Sequence, residues 1–144
     1  MGGAADRDDL YGYEWDFLAR DHHGFMAVLS SAGYGPIPQA VLDNVTAVES
    51  AVETLVGLCV LGESIDLRPP GSTGDHSEWF ALSRRGVYTY DWNSTHGSYE
   101  RVSAPTVALN IMDAEPSIQR AAALLTLPFR FAEVTRIRLD ESCP

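Results

Sequence analysis

The chain contains no lysine. Its ten basic residues are all arginine, and they face 20 acidic residues, for a formal net charge of −10. That shortage of positive charge argues against nucleic acid or an anionic membrane surface as a partner, because both repel an acidic protein. Cysteine is nearly absent too. Cys59 and Cys143 are the only two, far apart and without a Cys-x-x-Cys or metal-ligand neighbour, so neither a disulfide framework nor a zinc site is expected. Cys59 stands in an apolar run with Leu55, Val56, Leu58, Val60 and Leu61, which predicts a small buried thiol. No apolar run reaches membrane length. The first residues, Met-Gly-Gly-Ala-Ala-Asp-Arg-Asp-Asp, lack the basic and apolar regions of a secretory signal, and Asp6 stands where a myristoylation motif wants Ser or Thr. The expected location is the cytoplasm.

Motifs that carry chemistry are missing as well. There is no Gly-x-Ser-x-Gly elbow, and the glycines of Ser31-Ala32-Gly33-Tyr34-Gly35 lack the lysine and following helix of a phosphate loop. His22 and His23 are adjacent in a turn, where regular geometry points their rings apart. A metal site there needs Asp21, His76 or Glu78 brought close by the fold. No catalytic residue, cofactor or metal ligand is assigned.

What the chain does have is 45% hydrophobic residues over 144 positions, enough for one domain with its own core. A single domain is expected over 1–144, with a disordered lead at 1–9 and a tail at 141–144. Alternation from Glu14 to Arg20, a turn at Asp21-His22-His23-Gly24 and a second run from Phe25 to Ser30 predict a hairpin. Val41, Leu42, Val45, Val48, Val52, Leu55, Val56 and Cys59 recur at helical spacing. They predict a short helix to Asn44 and a longer one over 46–58, opened by a Thr46–Glu49 capping box. Residues 63–77 read as a polar loop. Glu78–Ser83, Val87–Trp92 and Ser98–Val102 read as a three-strand meander, with a further short strand in 104–111. Asp113 is placed to cap a helix with Pro116 in its first turn and Ile118, Ala122 and Leu125 on its buried stripe, and Phe129–Leu139 reads as a last strand. The sum is an α+β fold, a mainly antiparallel sheet of five to seven strands with two to three helices packed on one face.

The charge is unevenly spread. Residues 1–66 carry 11 acidic and two basic side chains, and residues 67–144 carry nine and eight. An acidic N-terminal half is either a solvated surface or a binding face for a basic partner. Tyr88, Tyr90, Trp92 and Tyr99 fall on adjoining strands with Asp91 and Glu100 between them. They are either part of the core or an aromatic, acidic contact surface.

The strand Trp15-Asp16-Phe17, the stretch from Ser30 to Pro38, Arg84-Arg85-Gly86-Val87-Tyr88-Thr89-Tyr90-Asp91-Trp92 and Gly97 to Pro105 together resemble small bacterial proteins of the immunity-protein type in polymorphic toxin systems. The resemblance spans about residues 12–105 and carries no active-site motif. It implies a cytoplasmic protein that binds and occludes a cognate toxin domain. On this reading the chain is a non-enzymatic protein-binding module, with Asp16, Asp75, Glu78, Tyr88, Tyr90, Asp91, Trp92, Tyr99 and Glu100 as candidate contacts and a basic toxin domain as partner. The alternative is a small enzyme or small-ligand domain with its site near the 63–78 loop, where Asp75, His76 and Glu78 are first to test.

Overall fold

The computed structural model describes Leu10, residues 12–72, Gly74 and residues 76–139. The expected lead at 1–9, the tail at 141–144, Cys143 and Asp75 lie outside the described residues. The order begins with strands β1 (Asp16–Asp21) and β2 (Met26–Ser30), then helices α1 (Gln39–Leu42) and α2 (Val45–Val56). Strand β3 (Ser64–Asp66), helix α3 (Ser77–Arg84) and strands β4 (Tyr88–Asn93) and β5 (Ser98–Pro105) follow. A 3-10 turn (Ile111–Asp113), helix α4 (Pro116–Ala123) and the short strands β6 (Thr126–Leu127) and β7 (Arg136–Ile137) complete it. The expected α+β class holds. The seven strands form one mixed sheet in the order β3-β5-β4-β2-β1-β6, with β7 beside β5.

The hairpin β1–β2 turns at Gly24, whose φ of 88° only glycine adopts without strain. Asp21, almost wholly buried, holds this turn: its Oδ1 accepts from the backbone N–H of His23 (2.9 Å) and Phe25 (3.0 Å). Most neighbours in the sheet are antiparallel, but β2 pairs with β4, and β1 with β6, in parallel. Parallel neighbours need a crossover, and α1, α2, β3 and α3 supply the one between β2 and β4.

Register sorts the side chains. Phe17, Leu29, Tyr90 and Tyr99 leave one face of the sheet; Leu18, Val28, Thr89 and Ser103 leave the other. The three longer helices pack beside one another over the second face. Val48, Ala51 and Leu55 of α2 and Ile118, Ala121 and Ala122 of α4 are buried there. Buried Ser83 of α3 ties down to the sheet through Ser103 Oγ (2.7 Å), which also bonds Thr89 Oγ1 (2.6 Å). No helix is long and apolar enough to cross a membrane among the described residues.

Several expectations need correction. Glu78–Ser83 is not a strand but most of α3. Its apolar residues fit both periods. The end signals decide: Glu78 in the first turn and Arg84 in the last complement the helix dipole. Gly86 follows with φ 99°. The Thr46–Glu49 capping box does not form, because α2 starts one residue earlier and Glu49 accepts instead from Trp15 Nε1 (3.0 Å). The helix ends at Val56, so Cys59 lies past it and is exposed, not buried. Residues 104–111 hold no separate strand; β5 runs to Pro105 and Asn110 caps the 3-10 turn. Asp113 lies in that turn, and Glu115 is the N-cap of α4, with Pro116 in the first turn as expected. Of 129–139, only Arg136–Ile137 is strand. The remainder crosses the sheet face opposite the helices, where Phe131 packs on Tyr88 and Tyr90.

Candidate protein-binding cleft

The register aligns four polar side chains in one row across four neighbouring strands. Asp16 of β1 pairs with Ser30 of β2, Ser30 with Asp91 of β4, and Asp91 with Glu100 of β5. All four leave the sheet on the helical face. Strands lie about 4.8 Å apart, so Asp91 and Glu100 are direct cross-strand neighbours, a pairing of like charges that destabilises a sheet. Ser30 is fully buried, and its hydroxyl donates to Glu14 Oε1 (3.0 Å).

Two clefts open along this row. The first, about 380 Å³, lies between the start of β1 and helices α2 and α3. Glu14 and Asp16 come from the strand, Glu49 and Glu53 from α2, and Glu78 from α3. Trp15, Val52 and Trp79 supply apolar wall. No arginine or histidine among the described residues lines it. Burial pushes the Asp16 carboxyl up to about 6. The Ser30 hydroxyl opposes this rise, and Glu14 and Glu78 add to it. The second cleft, about 490 Å³, lies on the other side of Trp79. The expected 63–77 loop contains β3, and the chain between β3 and α3 gives this cleft Arg68, Ser72 and His76, while the sheet gives Asp91, Asn93, Glu100 and Arg101. Burial also pushes Asp91 up to about 6, with Glu14 and Asp16 contributing and the Trp92 backbone N–H opposing. Asp91 Oδ1 is buried without a hydrogen-bond partner among the described residues. The ring of His76 stacks on Trp79, centroids 4.4 Å apart and nearly parallel. Arg68 is engaged by Asp66 through two bonds of 3.1 and 3.0 Å and lies over Phe80. Glu100 meets His96 Nδ1 (2.5 Å) and Arg136 (3.7 Å).

The structure therefore gathers Asp16, Glu78, Asp91 and Glu100 on one face. It does not gather the tyrosines with them. Tyr90 and Tyr99 are fully buried and Tyr88 nearly so, all on the opposite face, where the Tyr90 hydroxyl donates to the Val134 carbonyl and the Tyr99 hydroxyl to that of Pro36 (2.8 Å). The expected aromatic contact surface is core. Trp92 is half-buried against Tyr99 and reaches the edge of the second cleft. The rings beside the carboxylates are instead Trp15 and Trp79. Of the residues that line the first cleft, Glu14, Trp15, Glu49, Glu53 and Trp79 are not among the contacts the sequence pointed to. Glu49 and Glu53 carry a signal, since a like-charged i, i+4 pair weakens a helix. The rings of His22 and His23 lie against each other at the hairpin turn, 4.1 Å between centroids and tilted by 46°, not pointing apart as expected, but no group of three or more potential metal ligands occurs among the described residues. Compared with protein-family models, with curated proteins and with solved structures, the chain matches none.

Proposed function

We propose that this chain is a protein-binding module that receives a basic segment of its partner in the acidic cleft, and that it acts as an immunity protein occluding a toxin domain. One observation carries the reading: five carboxylates line a tryptophan-walled cleft to which no arginine or histidine among the described residues contributes. Charges held this way lower the stability of the free protein, and an incoming guanidinium or ammonium group relieves them. Trp79 and Trp15 offer ring faces for the same cation. The acidic N-terminal half steers such a partner during approach.

The test is protection. Cells expressing the gene product encoded beside this chain are rescued by the wild type and not by a folded Asp16→Asn/Glu53→Gln variant. Absence of toxicity, or rescue by both forms alike, contradicts the proposal.

The second cleft favours a second reading, a small-ligand or catalytic site near the 63–78 loop. There a carboxyl titrating near neutrality, Asp91, shares a wall with His76 and Glu100. If that reading holds, His76→Ala abolishes turnover or ligand binding while protection is unaffected.

A further inference from the structure

The two clefts described above lie on the helical face. A different cavity, about 300 Å³ and more enclosed than either, lies on the opposite face, among three segments that are remote in sequence. These are the β1–β2 turn, the stretch before the 3-10 turn, and the chain that crosses the sheet after Pro128. They are bound to one another. Asp21 reaches from the turn to the crossing chain, where its Oδ2 accepts from the Phe131 backbone N–H (3.2 Å). Asn110 donates to the His23 carbonyl (3.0 Å), and the Ile111 N–H to the Gly24 carbonyl (2.7 Å). The cavity is thus built in advance of any occupant, which lowers the cost of binding.

Its lining divides in two. Phe25, Ala108 and Ala132 form an apolar wall, and Tyr88, His23 and Arg130 bring hydrogen-bond donors or positive charge. Tyr88 is 8% exposed, and its hydroxyl has no hydrogen-bond partner among the described residues. Burial pushes that hydroxyl up, with Arg101 opposing, so it remains a donor at neutral pH. Asp21 also borders the cavity, but three backbone N–H groups take up its oxygens. The neighbouring cations are Arg130, held loosely by exposed Glu133 at 3.6 Å, Arg101, whose Nη1 donates to the Phe131 and Ala132 carbonyls, and Arg20, whose Nε donates to the Asp21 carbonyl.

We propose that this cavity is a binding site for a small organic carboxylate, with the Tyr88 hydroxyl and the Arg130 guanidinium on its oxygens and its apolar body against Phe25, Ala108 and Ala132. A cavity of this size, with a few convergent polar groups on an apolar wall, suits a ligand the size of a benzoate ion. Carboxylate recognition by a guanidinium and a hydroxyl is a charge-assisted arrangement.

The experiment titrates the full chain with sodium benzoate, benzamide and benzylamine, followed by calorimetry and by amide chemical shifts. Benzoate is expected to saturate and to shift residues 21–25, 108–111 and 130–132; the neutral and cationic analogues are not. Tyr88→Phe, which removes one hydroxyl, and Arg130→Gln, at an exposed position, are each expected to weaken benzoate about tenfold. No saturable benzoate binding overturns the site. So does equal binding of benzylamine, or shifts confined to the helical face. Unchanged affinity in Tyr88→Phe also overturns it, since binding through Arg130 alone is surface ion pairing. The acidic-cleft reading is untouched by any of these outcomes.

Discussion

Tyr90 and Asp91 are consecutive in β4, yet their side chains leave the sheet into opposite kinds of surroundings. Tyr90 is fully buried among Phe131 and the chain that covers it, and its hydroxyl is satisfied by a backbone carbonyl. Asp91 faces Glu100 across the ladder, has Asp16 two strands away, and keeps one buried oxygen without a hydrogen-bond partner among the described residues. One face of the sheet is arranged for stability. The other tolerates like charges side by side, which a fold selected for stability alone has no reason to keep. The contrast separates the two faces experimentally. Damage to the ring face lowers stability, whereas neutralising the acidic face raises it and removes binding.

The largest effect is expected at Phe131, which is fully buried against Tyr88, Tyr90 and Phe129. Phe131→Ala should cost about 3–5 kcal/mol, a loss on the order of 10–20 °C in Tm by calorimetry. A drop of only a degree or two shows that the crossing chain is not part of the cooperative core. Next in size is Gly35→Ala. A Cβ there meets the Tyr99 hydroxyl at 2.6 Å and the Trp92 ring at 2.9 Å, in a packed ring cluster with little room to move. A loss of about 1–3 kcal/mol follows from such overpacking, readable in urea denaturation.

The ring face shows what was legible in the sequence. Both hairpins and helices α2 and α4 follow from alternation, Gly24 and Pro116, all local signals. Helix α3 was not legible by period, since Trp79, Phe80 and Leu82 suit a strand as well, and only its charged ends and Gly86 tell otherwise. For Tyr88, Tyr90 and Tyr99 the sequence fits a buried and an exposed position equally well. What settles it is residues 128–135, which cross the sheet as irregular chain and carry no periodic signature. The acidic site was legible as a list of carboxylates and not as a place. Asp16 reaches Asp91 through the parallel pairing of β2 with β4, and no local pattern encodes a pairing across so long a crossover.

On the acidic face the sign reverses. Asp16→Asn removes a charge that burial and its neighbours Glu14 and Glu78 disfavour, at the loss of the help Ser30 gives the ionised form. The variant should be more stable than the wild type by about 1–2 kcal/mol at pH 7, seen as a raised urea midpoint, while protection against the partner is lost. A destabilised variant means that Asp16 is held by contacts that favour its charge, and the account of the cleft fails.

The pH dependence is the smallest effect and the most direct reading of the row. In the folded chain Asp16 and Asp91 titrate at about 6, against a model-peptide value of 3.8. Between those values the native state holds more protons than the unfolded chain, so these two groups make stability rise as pH falls through 6 towards 4. Above pH 6 both are charged and the penalty is complete. Asp91 lies closer to solvent, and screening reduces its share. The pair together should add about 1–2 kcal/mol between pH 7 and pH 5. Urea midpoints of wild type and of Asp16→Asn/Asp91→Asn, measured over that range, separate the contributions: as pH falls the wild type gains on the double variant, and a constant difference between them contradicts the raised carboxyls. The same protonation removes the charge a basic partner reads, so acidification that strengthens the fold should weaken the complex. A complex as tight at pH 5 as at pH 7 assigns the binding energy to groups other than this row.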